Sequence, residues 1–119
     1  MIIVTLRIVV PPERRGDVLK TIRLLLGPTQ VQPGCKNSRF YQEIENSNAL
    51  FLIEEWKSQA DLDRHISSDE YRKILALMDI SSESPEIKFN TILHTAGMEA
   101  LKTAREKSIN HQNNKGEKF

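Results

Sequence analysis

Residues Leu50–Met78 read LFLIEEWKSQADLDRHISSDEYRKILALM, and this stretch decides the fold. Leu50–Trp56 is a short apolar run ending in the chain's one tryptophan, which predicts a strand. Ser58-Gln-Ala-Asp61 then resembles a capping box, with aspartate in place of the usual glutamate, and starts a helix. Ser67-Ser-Asp-Glu70 repeats the signal, so the helix should break or kink near Ser67 and resume through Met78. His65 and Tyr71 fall on either side of that break.

Upstream, Asn46-Ser-Asn48 supplies turn chemistry that pairs Leu50–Trp56 with a strand over Arg39–Ile44 as a hairpin. Pro33-Gly34 makes an earlier turn. Before it, Glu13–Leu26 carries Val18, Leu19, Ile22, Leu25 and Leu26 at helical spacing, and Gly27-Pro28 should stop that helix. The chain opens with Ile2–Val10, rich in β-branched residues and closed by Pro11-Pro12, a strand by composition. Downstream, Pro85 precedes a last strand over Ile87–Leu93, and Met98–Arg105 forms a short amphipathic helix. From Ser108 there is almost nothing to bury, so a disordered tail is expected.

The order strand, helix, strand, strand, helix, strand is the α+β ferredoxin-like βαββαβ arrangement, a four-stranded antiparallel sheet with its helices on one face. The chain divides into a ferredoxin-like domain over 1–95, a helical extension over 96–107 and a tail over 108–119. One sheet face then lacks a cover. With Ile2, Val4, Leu6 and Ile8 to hide, that face should pair with a second copy of the chain to make a homodimer.

Composition narrows function by exclusion. At 119 residues, with 39% apolar and 28% charged residues and a formal net charge of +1, nothing favours nucleic acid or a membrane surface. No stretch is long and apolar enough to span a bilayer, and the apolar start lacks a secretory leader's charged lead, so a cytoplasmic protein is expected. The single cysteine, Cys35, excludes an internal disulfide and cysteine-cluster metal sites, and reads as structural. His94 and His111 stand apart from any ligand spacing, so no metal is expected. No glycine-rich phosphate loop is present either.

Pro33-Gly34-Cys35, Phe40-Tyr41-Gln42, Glu54-Glu55-Trp56-Lys57-Ser58, Leu62-Asp-Arg-His65 and Ser68-x-x-Tyr71 together resemble the antibiotic biosynthesis monooxygenase (ABM) family. The match covers Ile2 to Leu93. The resemblance implies a dimeric α+β barrel. It also implies one of several activities: oxidation of polyketides or quinols without metal or bound flavin, haem degradation, or processing of small signalling sugars. The haem-degrading branch uses an asparagine on the first strand, a tryptophan on the second helix and a haem-ligating histidine ten residues beyond it. Aligning Trp56-Lys57-Ser58 with that branch's Trp-Lys-Ser puts Leu6, His65 and Leu75 at those positions, and leucine cannot ligate iron. His65 instead stands where the quinol-oxidising branch has a histidine, which implies a cofactor-free oxygenase.

In that scheme His65 is the catalytic base, oriented by Asp61 or Asp69 one turn away. Trp56 stacks on a flat aromatic substrate, Tyr71 hydrogen-bonds it, and Arg7 and Asn90 point polar groups into the cavity. Each has a plainer reading: a surface histidine, a core tryptophan, a packed tyrosine, and two residues that reach solvent. The leading expectation is a cofactor-independent monooxygenase for a quinol-like or phenolic small molecule. The alternative is a non-catalytic dimeric ligand-binding or stress-response module of the same fold. Isomerase or lyase chemistry on a sugar-like ligand would need a more polar pocket.

Overall fold

The computed structural model describes residues 1–114, with side chains up to 110. It runs β1 (Ile2–Val9), a 3-10 turn (Pro12–Arg14), α1 (Arg15–Gln30), β2 (Cys35–Gln42), β3 (Ala49–Trp56), α2 (Gln59–Ile66), α3 (Tyr71–Asp79), β4 (Glu86–Thr91) and α4 (Met98–Asn114). The strands form one antiparallel sheet in the order β2-β3-β1-β4. This is the expected ferredoxin-like topology, with α1, α2 and α3 on one face.

Alternation along β1 sets which side is buried. Ile2, Val4, Leu6 and Ile8 are all at most 6% exposed. They pair across to Trp56, Glu54, Leu52 and Leu50 of β3, so these eight side chains share one face. Leu6, Ile8, Leu50 and Leu52 pack with Val18, Ile22 and Leu25 of α1 and with Tyr71, Ile74 and Leu77 of α3. Ile2, Val4 and Trp56 make a smaller cluster with Leu62 of α2.

That packing corrects the expected dimer face. Ile2, Val4, Leu6 and Ile8 are already hidden by the chain's own helices. The face left open instead carries Ile3, Thr5, Arg7, Phe51 and Ile53, with Tyr41 at its edge. A period-two strand assigns its residues to two faces without saying which one meets the helices.

The break between α2 and α3 falls where the sequence places it. Ser58 caps α2, its hydroxyl accepting from the Asp61 amide at 3.2 Å. The second signal works differently: Glu70 precedes α3 without a side-chain cap, and the Ser68 hydroxyl donates back to the His65 carbonyl at 2.6 Å, closing α2.

Helix α1 does not stop at Gly27-Pro28 but continues to Gln30. Gly27 has no Cβ to collide with the following proline ring, which relieves the usual restriction on the preceding residue. The amide that Pro28 lacks would have bonded the carbonyl of Leu24, a residue on the solvent side. Burial of Thr29 and a 3.0 Å bond from the Gln30 side-chain Nε2 to the Ser38 carbonyl hold the last turn against β2. Strand β2 starts at Cys35, ahead of the expected Arg39, because Cys35–Ser38 pair with β3 through a register irregularity between Cys35 and Asn37. Helix α4 passes the expected Arg105 limit and reaches Asn114, so the disordered tail expected over 108–119 is helix over 108–114, while 115–119 lie outside the described residues. No helix among the described residues is long and apolar enough to cross a membrane.

Candidate functional site

The core face of the sheet carries one acid. Glu54 stands between Leu52 and Trp56 on the buried side of β3 and is 2% exposed. A buried carboxylate needs partners. Its Oε1 accepts from the Trp56 indole at 3.2 Å, its Oε2 accepts from the Ser38 hydroxyl at 3.4 Å, and the same Oε2 lies 3.6 Å from His65 Nε2.

Helix α2 delivers His65 to this carboxylate. Its first turn is tied down by Ser58, whose hydroxyl donates to Asp61 Oδ2 at 2.8 Å, and by Arg64, 3.0 Å from Asp61 Oδ1. Those bonds, the Ser58 one foremost, hold the Asp61 carboxyl below the usual carboxylate range. The loop before β2 meets this first turn. Gly34 adopts φ +80°, its carbonyl accepts from the Lys57 amide at 2.8 Å, and a Cβ there would run into the Asp61 side chain. The same loop carries Gln32, whose Oε1 sits 2.9 Å from His65 Nδ1.

His65 is therefore enclosed, at 1% exposure. Its ring stacks on Trp56, centroids 4.6 Å apart with 26° between planes, and meets the edge of Tyr71 at 5.2 Å and 83°. With Gln32 Oε1 receiving the Nδ1 proton, Nε2 is left toward Glu54 and has no hydrogen-bond partner of its own. Burial first, then the Glu54 charge, pushes up both the Tyr71 phenol and the Cys35 thiol. Cys35 is thus kept as a thiol and not as a nucleophilic thiolate.

Of the residues proposed from sequence, the fold brings His65, Trp56 and Tyr71 together. It does not bring Arg7 and Asn90 to them. Both belong to the opposite face of the sheet, where Arg7 pairs with Glu43 at 2.6 Å and Glu83 at 3.7 Å, and Asn90 is exposed on β4. Nor do Asp61 and Asp69 orient His65. The first is held by Ser58 and Arg64, and the second is 96% exposed beside Arg72. Glu54, Gln32 and Ser38 take that place and were not foreseen. For Glu54 the signal was present, since an acid at the i+2 spacing of Leu50, Leu52 and Trp56 must be buried with them. Among the described residues no three His, Cys, Asp or Glu side chains converge as a metal site. A cleft of about 220 Å³ opens between α1 and α3, and none of the His65 network lines it.

The sequence profile of the family described as antibiotic biosynthesis monooxygenase matches residues 1–77. The chain belongs to the ABM family. A conserved protein of Methanosarcina mazei Go1 is similar at 32% identity and a TM-score of 0.70, over 75% of this chain and 89% of that one. A putative ABM from Deinococcus radiodurans shares the fold alone, at 13% identity and a TM-score of 0.74, over 82% and 97% of the two chains. An uncharacterised protein of Synechocystis sp. is 25% identical over 95 residues, 79% of this chain. The chain spans only 65% of that relative's length. This ABM chain therefore has the family's general character.

Proposed function

We propose that this ABM protein is a cofactor-independent monooxygenase acting on a quinol-like or phenolic small molecule. The observation that carries the reading is His65 Nε2: a buried ring nitrogen with no hydrogen-bond partner, backed by Glu54 and stacked on Trp56. His65 Nε2, beside the Glu54 carboxylate and with Nδ1 held by Gln32, takes the proton of the substrate hydroxyl. The anion left behind is electron-rich at ring carbon, where a C–O bond to dioxygen forms. The O–O bond then breaks, one oxygen stays as a carbonyl at that carbon, and the other leaves as water. All electrons come from the substrate. Trp56 and Tyr71 supply the aromatic walls. Purified protein should consume dioxygen with a dihydroquinone faster than the uncatalysed oxidation, and His65→Ala should lose that increment. Equal rates for parent and variant refute the assignment.

One observation favours the second reading, a non-catalytic ligand-binding module. His65 and Trp56 are 1% and 0% exposed, so a substrate reaches them only when the enclosing side chains give way. Ligand-induced exchange at the Gln32 and Tyr71 signals supports the oxygenase; a rigid, protected ring with no turnover supports the module. In either reading we infer a homodimer through the open face of the sheet, where Phe51 and Ile53 lie half-buried beside Tyr41. Ile53→Asp should give a monomer by sedimentation, and a parent that is already monomeric overturns the inference.

A further inference from the structure

We propose that the cleft between α1 and α3 is a binding site for a small apolar carboxylate. The cleft exists because two small residues face each other there, Thr21 on α1 and Ala76 on α3. The leucines that could have filled it, Leu24 and Leu75, are turned to solvent at 66% and 47% exposure. The floor is aliphatic, built from Val18, Leu77 and Ile80, the first two fully part of the core. An apolar floor left open to water gains by taking up apolar ligand surface.

The rim selects charge. Arg14 and Lys73 stand over the floor from α1's N-terminal approach and from α3, against one acid, Asp17. Arg14 makes no ion pair among the described residues, and Lys73 holds only Glu70 at 3.2 Å in a half-exposed contact that a ligand can exchange. Arg14 offers the planar fork that a carboxylate accepts in a bidentate way. Thr21 and Asp17 remain as partners for a hydroxyl on the same ligand. The volume of about 220 Å³ lies below that of drug-sized pockets, which favours a two-ring aromatic acid or a short acyl chain. The inference is independent of the oxygenase reading, because His65, Glu54, Trp56 and Tyr71 do not line the cleft.

The test is a methyl NMR titration of the full chain with 2-naphthoate and with octanoate, against the neutral 2-naphthalenemethanol and octanol. Shifts centred on Val18, Thr21, Ala76 and Leu77, with a Kd of about 0.1–1 mM, are expected for at least one acid. Binding by one acid alone identifies the aromatic or the acyl class; binding by both leaves the carboxylate as the shared determinant. The matching alcohol should bind at least about fivefold more weakly, and Arg14→Gln/Lys73→Gln should erase that preference. Ala76→Leu should block both acids by filling the cleft; where it does not fold, the double charge variant decides. Equal affinity for acid and alcohol, shifts centred elsewhere, or no binding overturns the proposal.

Discussion

Replacing Glu54 tests whether the buried pair is one unit. In Glu54→Ala the Trp56 indole N–H and the Ser38 hydroxyl each lose their acceptor in a site 2% exposed or less. A stranded buried polar group costs about 1–3 kcal/mol, so the two together imply a loss of about 2–6 kcal/mol before any effect on His65. Glu54→Gln is milder, because its amide oxygen can still accept from Trp56 while its NH2 turns toward Ser38 and His65 Nε2. A loss of about 1 kcal/mol is expected there. The deciding measurement is a double-mutant cycle of Glu54→Gln and His65→Gln, followed by urea unfolding with far-ultraviolet circular dichroism as readout. If the two side chains act as one unit across the 3.6 Å Nε2–Oε2 contact, the two losses should fail to add by about 0.5–3 kcal/mol. Losses that add within about 0.5 kcal/mol refute the coupling, and with it the role of Glu54 behind the proposed base.

Gly34→Ala should destabilise the chain by about 2–4 kcal/mol, combining a left-handed backbone with displacement of Asp61 from the α2 cap; an unchanged urea midpoint would be incompatible with the described turn. Asp61 and Glu43 titrate below their ordinary values, held by Ser58 and Arg7 respectively. Their stabilisation is complete above the unfolded-state values of about 3.9 and 4.3, and is lost as pH falls through the lower folded ones. Acid unfolding curves of Asp61→Asn and Arg7→Met should therefore be flatter than the parent's in that window. Trp56 is the one tryptophan and stacks on His65, so His65→Ala should change the emission of the folded chain; an unchanged spectrum would contradict that stacking.

The sequence carried the topology because each element had its own local signal. Ser58 capped a helix where the pattern required one, and Asn46-Ser-Asn48 joined two strands that do pair. Local signals failed where tertiary contacts competed with them. Gly27-Pro28 reads as a stop, yet Thr29 and Gln30 gain enough against β2 to carry α1 one turn further. Cys35–Ser38 have little strand propensity and are strand because β3 offers them partners.

The site was half legible for a related reason. His65, Trp56 and Tyr71 lie within one continuous stretch, so proximity in sequence foretold proximity in space. Their polar partners come from elsewhere: Ser38 from β2, and Gln32 from a loop ordered around Gly34, the single positive-φ glycine among the described residues. Arg7 was drawn into the site by its type, but type does not choose a face. Parity does, and it sets Arg7 opposite to Leu6 and Ile8 while setting Glu54 with Leu52 and Trp56. Parity along β1 and β3 thus gives Arg7 a surface ion pair with Glu43 and turns the Glu54 carboxylate to the histidine. An acid at a core position is the costlier choice for folding, and this chain satisfies it with an indole and a hydroxyl while setting an imidazole 3.6 Å away. That expense is what a packing role alone does not explain, since a leucine at position 54 would complete the cluster of Val4, Trp56 and Leu62 without any polar partner.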